Sequence, residues 1–575
     1  MKCWRLPDTP VPPHVAGWAG RLGMPPFLAG LLWQRGLTDP QAMEAFLLPR
    51  LSGLAPPDAW PGLRAAADTL VGSITRGDDL LIWGDYDVDG VTGTALILQV
   101  LAFHGVTARF HLPHRQREGY GLNTAAMERF AAEGVRTILT VDCGISDVEA
   151  VHRATELGLR VVISDHHLPP ERLPVAEAIC NPRLAACPCP HLAGVGVAFF
   201  LMAAVNADLA AHTGRRMDMR EVLDIVALGT LADVAPLTGQ NRILVKNGLL
   251  LLASAERPGV AELKAVSGYN PAAPLGAGQV VFNLAPRLNA AGRIGSATQA
   301  LDLLRAGSHE EAAAIAKELD TLNSRRRAEE DRILEEALCQ AETQRRRAGL
   351  VIWGENWHQG VIGIVASRLV DAFYRPTVVL CRDHASFKGS GRSIPEFDLH
   401  AGLGRCADLL QSFGGHRQAA GLRLDETLLD TLRERFDTIV RETIGVDPLT
   451  PSLRLDGELD FALATDAAFL NSLEQFQPFG VGNPEPVFAS PPLHLRKQRL
   501  FGPNRDHVAL HVTDTTTGIS LQAKLWRMAG TFPRLEPGAR LHLAYTPGLN
   551  TYNGATSVEL RVKDWKLETD RPACH

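Results

Sequence analysis

The stretch LLIWGDYDVDGVTG, residues 80–93, sets Asp85, Asp87 and Asp89 at alternate positions directly behind an apolar run. Carboxylates this close repel one another unless a cation lies among them. Further along, Asp142 follows VRTILTV, the triplet Asp165-His166-His167 follows LRVVIS, and Asp233 closes GTLAD. For any one of these aspartates a helix N-cap or a solvated turn would be reason enough. For the set, divalent metal is the economical reading. Carboxylates with one or two imidazoles and no thiolate suit Mn²⁺ or Mg²⁺ better than structural zinc. Two ions about 3.5–4 Å apart on a shared carboxylate suit in-line displacement at phosphorus.

Such a site needs elements that deliver the acids to one place. From about residue 61 to 205 the chain alternates short β-branched apolar runs with segments of helical period: DLLIWGD before VTGTALILQVLAFHG, VRTILTVDCG before SDVEAVHRATELG, then LRVVISDHH. That alternation predicts parallel βαβ units, in which functional groups gather at the carboxyl ends of the strands. Asp85, Asp142 and Asp165 each hold that position. Residues 1–60, rich in Pro, Leu and Trp, read as a helical or irregular N-terminal arm. Residues 211–347 read as mainly helical, and the near absence of Gly and Pro from 308 to 348 predicts a long helix joining two lobes. A second α/β unit is expected over 348–445. From 450 to 575, LHLRKQRLF, HVALHVTD, ISLQAKLW, RLHLAYTP and TSVELRVKDW are short alternating strands that predict a small β-barrel of OB type.

DYDVDG, VDCGIS, SDHH and GTLADVAPL resemble the four motifs of the DHH phosphoesterases, named for the triplet at 165–167. The later PRLNAAGRI, WHQGVIGIVASRL, GSGRS and FGGHRQAAG are similar to motifs of the single-strand-specific DNA exonucleases of that superfamily. The resemblance covers nearly the whole chain in the right order. It implies a parallel-sheet DHH domain at 61–210, a DHHA1-like substrate-binding domain at 348–445 and an OB-like domain at the end. It further implies metal-dependent 5′→3′ hydrolysis of single-stranded DNA to 5′-mononucleotides, with water activated between two Mn²⁺ or Mg²⁺ ions, in recombination and repair. By position, Asp87, Asp89, Asp142, His166 and Asp233 match the metal ligands, with Asp142 shared. Asp85 stands where some relatives reach the metal through a histidine, so it is a ligand or a support for ligands. His167 would face the scissile phosphate, and Asp165 would orient the histidines. Arg115 before Gly119-Tyr120-Gly121, then Arg287, Arg293, Ser390, Arg392, Gly414, Gly415 and His416, match the substrate-binding positions. Guanidinium forks and glycine-exposed amides both suit a terminal phosphate. The implied partners are single-stranded DNA, a single-strand-binding protein and a RecQ-type helicase, for a monomer with no membrane contact.

Composition is compatible with this reading. At 575 residues the chain needs several cores. A formal net charge of -6 argues against coating nucleic acid through a global positive field, though not against a local basic channel. The most apolar segment, AGVGVAFFLMAAV, is too short by itself to span a bilayer, and MKCWRLPDTPVPPH lacks a secretory apolar region, so a cytoplasmic location is the expectation. Nine scattered cysteines predict reduced thiols. Only Cys180 with CPCPH at 187–191 forms a cluster, and its spacing is unlike that of a zinc finger. The arginine runs 325–327 and 345–347 read as solvated helix faces, and Phe476, Phe479, Phe488 and Trp526 as core before base-stacking groups. Two other readings stay open. One is a phosphodiesterase for short oligonucleotides or cyclic dinucleotides, or a pyrophosphatase, with the same acidic motifs. The other is a non-catalytic DNA-binding scaffold, which the full set of acidic positions disfavours.

Overall fold

In the computed structural model the described residues are 2–57, 60–184, 187–445, 447, 449–552 and 555–568. Cys574 lies outside them. The amino end is strand β1 (Cys3–Arg5), followed by helices Pro13–Leu22, Pro26–Gln34 and Pro40–Leu47, each with a proline at its start, where no amide partner is lost.

The first lobe is a five-stranded sheet of β2 (Leu80–Gly84), β3 (Arg109–His111), β4 (Thr137–Val141), β5 (Arg160–Ser164) and β6 (Ala178–Cys180). Its order is β3-β2-β4-β5-β6 and every pairing is parallel. β2 and β4 are buried along their whole length, as a sheet covered on both faces requires. One face packs on helices Val88–Phe103 and Gly194–Thr213. The latter is 20 residues long, and apolar enough by length and composition to cross a membrane. It exceeds the apolar segment read from sequence, and most of it is buried inside this lobe. The other face carries Leu122, Met127, Phe130, Val151 and Ala154.

Helices from Leu223 onward extend this core and lead into the helix His309–Thr343, 35 residues long and so about 50 Å from end to end. Its N-cap Ser308 accepts from Glu311 N, with Glu310 and Glu311 in the first turn against the helix dipole. The second lobe has β7 (Leu350–Gly354), β8 (Thr377–Asp383), β9 (Ser386–Arg392), β10 (Leu410–His416) and β11 (Ala419–Asp425) in order β10-β11-β9-β8-β7, with only β7 and β8 parallel.

Strand β12 (Ser452–Arg454) pairs in parallel with β1, so the amino-terminal segment is not a detached arm: its helices share one core with the terminal barrel. That barrel has β13 (Phe488–Ala489), β14 (Leu493–Phe501), β15 (His507–Asp514), β16 (Ser520–Leu525), β17 (Arg540–Tyr552) and β18 (Ala555–Leu567). It runs β17-β14-β15-β16-β18 and closes through β17–β18, with β13 on β17. Arg242, fully buried, ties the barrel to the helical region: its guanidinium donates to the carbonyls of Phe46, Gln475, Phe476, Gln477 and Pro478. A cation at the end of helix Ala467–Gln475 satisfies carbonyls that have no partner within the helix.

Candidate active site

The strand ends deliver the acids as a parallel sheet should. Asp85 follows β2, Asp142 follows β4 and Asp165 follows β5. Asp87 caps helix Val88–Phe103, one oxygen accepting from Asp89 N at 2.9 Å and Gly90 N at 3.2 Å. Asp89, in the first turn, is held by the start of another helix through Gly194 N at 2.6 Å and Val195 N at 2.7 Å. The fit is close: a Cβ on Gly90 would lie 2.5 Å from Asp85 N, and one on Gly194 would lie 2.7 Å from Asp142 Cβ. Asp142 itself takes φ +62, a left-handed conformation of the kind that collects at functional sites.

Three sets of potential ligand atoms lie within 4.8 Å of one another: Asp85, Asp87 and Asp142; Asp89, His166 and Asp233; and Asp142, His166 and His167. Asp142 and His166 each belong to two. His166 Nε2 stands 3.0 Å from Asp142 Oδ1, while burial and the neighbouring His167 hold that imidazole down to about 4. A separation of about 3 Å is the edge of an octahedron with bonds near 2.1 Å. Asp142 Oδ1 and Asp85 Oδ1 are buried with no hydrogen-bond donor, a costly state that a cation removes.

The titration pattern points the same way. Burial, then Asp87, lifts Asp89 to about 7. Burial, then Asp89 and Asp87, lifts Asp233 to about 9. Asp85 and Asp142 are pushed well above the ordinary carboxylate range by burial and by one another's neighbours. Asp165 behaves oppositely. Burial alone would raise it, yet donors outweigh burial and hold it below its ordinary value: His167 Nδ1 at 2.8 Å, Ile145 N at 3.0 Å and His167 N at 3.1 Å. His167 loses charge to burial but regains more from Asp165, reaching about 9.

Beside the acids lies a cavity of about 450 Å³ whose lining includes Tyr86, Arg115, Arg293, Lys388 and Arg392. Arg392 donates to Ser390 Oγ at 3.1 Å, Arg293 donates to Gly360 O at 2.9 Å, and Arg115 lies 4.9 Å above the Tyr86 ring. Burial and then Arg115 lower both Arg293, to about 10, and Arg392. Crowded cations are the complement of crowded carboxylates, and together they form a place for an anion beside a place for metal. Tyr120 joins the two: it lines this cavity, and its hydroxyl donates to Asp142 O at 2.9 Å and lies 3.1 Å from His167 Nδ1.

Sequence profiles of the DHH family N-terminal domain match residues 79–230, of the DHHA1 domain 347–442 and of the RecJ OB domain 455–564. The single-stranded-DNA-specific exonuclease RecJ of Dickeya dadantii is 37% identical over 568 residues, covering 95% of this chain and 96% of that protein. The chain belongs to the RecJ family. RecJ of Thermus thermophilus, solved in complex with Mn²⁺, superposes with a TM-score of 0.83 at 30% identity over 98% of this chain and 79% of that one. The same protein in complex with Mg²⁺ gives 0.76 at 29% identity, over 98% of this chain and 78% of that one.

Within this RecJ-family fold, the sequence-predicted acids and histidines converge, as do Arg115, Arg293, Ser390 and Arg392. Gly415 lines the same cavity, where a Cβ would come within 2.4 Å of Ala419 O; Gly414 and His416 sit exposed on β10. Arg287 is a correction. It is buried on another face of its helix, bound to Asp320 at 2.9 Å and to the Asn283 and Val266 carbonyls, so it braces the helical region. Arg326 is another: rather than facing solvent, it is buried against Asn323 and Glu330. Phe476 and Phe488 are core, whereas Trp526 is exposed beside Phe501 and His507.

Sequence reasoning singled out no role for several residues. Asp147 holds the 119–121 loop through Leu122 N at 2.7 Å. Asn181 and Arg183 donate to the His167 and His166 carbonyls at 3.0 and 2.7 Å. The Cys180/Cys187/Cys189 cluster joins none of the three-donor groups among the described residues.

Proposed function

We propose that the chain is a metal-dependent exonuclease that degrades single-stranded DNA from its 5′ end to 5′-mononucleotides, in the cytoplasm, during recombination and repair. The observation that carries this reading is the junction of an acidic cluster and a cationic cavity through Tyr120. Asp87, Asp89, Asp142, His166 and Asp233 would hold two Mn²⁺ or Mg²⁺ ions, Asp142 belonging to two of the donor groups and Asp85 to one. When bound, the ions neutralise the carboxylates and supply the water activation and charge stabilisation that displacement at phosphorus needs. Asp165 accepts from His167 Nδ1, which fixes the ring and favours its protonated form, so His167 would donate to a non-bridging oxygen of the scissile phosphate. Arg115, Arg293, Ser390, Arg392 and the amides around Gly415 receive the terminal phosphate, which sets the polarity. The terminal barrel handles the incoming strand, a single-strand-binding protein and a RecQ-type helicase deliver it, and the enzyme acts as a monomer.

The test is incubation with Mn²⁺ and long single strands labelled at either end, with duplex and dinucleotide controls. A 5′ label is expected in mononucleotide from the first time point, while 3′-labelled strands shorten gradually. Intact long strands with rapidly cleaved dinucleotides would instead make the protein a small-substrate phosphodiesterase. Arg392→Ala is expected to reduce the preference for 5′-phosphate over 5′-hydroxyl ends by roughly tenfold, the worth of one charged hydrogen bond. Unchanged discrimination would remove Arg392 from the end pocket.

A further inference from the structure

The function above leaves the thiols at 187 and 189 unused, and their place in the chain is unusual. Cys187 Sγ and Cys189 Sγ lie 3.8 Å apart, and the Cys189 amide donates to Cys187 Sγ at 3.4 Å. Cys187 is half-buried, and so the sulfur within reach of a small oxidant; Cys189 is buried behind it. On the amino side of the pair, Asn181 and Arg183 bind the backbones of His167 and His166. On the carboxyl side, Cys189 O accepts from Leu192 N, and two residues later Gly194 N and Val195 N clamp both oxygens of Asp89. One short segment therefore connects the supports of the histidines to the support of an acid.

We infer that Cys187 and Cys189 form a modification site, oxidised by peroxide to a disulfide that displaces residues 187–195 and weakens the metal centre. The chemistry closes with peroxide alone. Cys187 sulfur attacks one peroxide oxygen, giving a sulfenic acid and one water. Cys189 sulfur then attacks Cys187 sulfur, the S–S bond forms, and the second oxygen leaves as water with the remaining thiol proton. Two thiols lose two electrons and one peroxide becomes two waters. The bridge draws the sulfurs from 3.8 Å to about 2.05 Å, a movement that the Leu192–Cys189 bond passes toward Gly194. Burial raises both thiols, so the reaction answers sustained rather than brief oxidation. A soft-metal site is the weaker alternative, because no third donor joins the pair among the described residues.

This inference rests on the reading that Asp89 and His166 hold metal, and its test reads bond formation separately from activity. The full chain, reduced and then treated with hydrogen peroxide, is digested and analysed by mass spectrometry, and its Mn²⁺ affinity is measured by calorimetry. The expected result is loss of two hydrogens from the peptide holding Cys187 and Cys189, with Mn²⁺ bound roughly tenfold more weakly, the scale for disturbing a support of a ligand. Dithiothreitol restores both. Cys189→Ser is expected to keep the reduced enzyme's activity and Mn²⁺ affinity and to lose the response. Two results overturn the inference: a pair still fully alkylatable once exposed Cys339 is oxidised, or a bridge that leaves Mn²⁺ affinity unchanged. A reduced protein that binds Mn²⁺ but cleaves no DNA would count against the nuclease reading alone.

Discussion

Asp142→Ala is expected to abolish cleavage of single-stranded DNA, lowering kcat by more than about a thousandfold. That exceeds the roughly hundred- to thousandfold cost of losing one hydrogen-bond donor to a transition state, because Asp142 serves two of the three ligand groups. Removing it disturbs both proposed ion positions at once, whereas loss of Asp85 or Asp233 touches one. The fold is expected to survive. Asp142 Oδ1 accepts no hydrogen bond, and the side chain is repelled by Asp85, Asp87 and Asp89, so alanine relieves repulsion as it removes a ligand. The left-handed backbone at this position suits aspartate better than alanine, which offsets part of that relief. In chelator the variant should keep the parent's circular dichroism and melt no lower than the parent, while Mn²⁺ no longer raises its melting temperature. Substantial turnover, or an undiminished response to Mn²⁺, would refute the shared role.

What the sequence made legible follows from how local each signal is. Asp85, Asp142 and Asp165 could be placed together because strand periodicity and the geometry of parallel sheets say where strand ends meet. Five of the six barrel strands were legible for the same reason, since alternation is written within eight or so residues; the two-residue β13 is too short to show it. The pairing of β1 with β12 was not: two three-residue strands separated by most of the chain carry no period. Arg287 was misread because a motif gives residue type and spacing but not the face of the helix, and Asp320, which claims its guanidinium, lies on a different helix. Arg326 fails likewise, since burial by the second lobe depends on contacts far along the chain. Asp147, Asn181 and Arg183 act through backbone amides and carbonyls, a use of polar side chains that looks in sequence like any loop residue.

The same crowding makes stability depend on pH and metal together. In chelator, the melting temperature is expected to fall by several degrees between pH 7 and 9, and millimolar Mn²⁺ is expected to flatten or reverse the trend. In an unfolded chain these aspartates titrate near 3.8, so by pH 7 they have lost their protons. Folded Asp233 holds its proton to about 9, and Asp85 and Asp142 are also raised. The folded state thus binds more protons than the unfolded one, and unfolding free energy decreases as pH rises. His167 acts in the same direction: its contribution is complete below its ordinary 6.5 and is lost as pH passes about 9. His166, held down to about 4, opposes the trend only between 4 and 6.5 and is neutral in both states above that. Asp89, raised to about 7, has spent most of its effect by the start of the window. Mn²⁺ must displace these protons, so it binds more tightly as pH rises and adds stability through binding to the folded state. A melting temperature in chelator that stays level from pH 7 to 9 would mean that the carboxylates ionise without a cation at little cost, and the electrostatic case for a metal centre would fail.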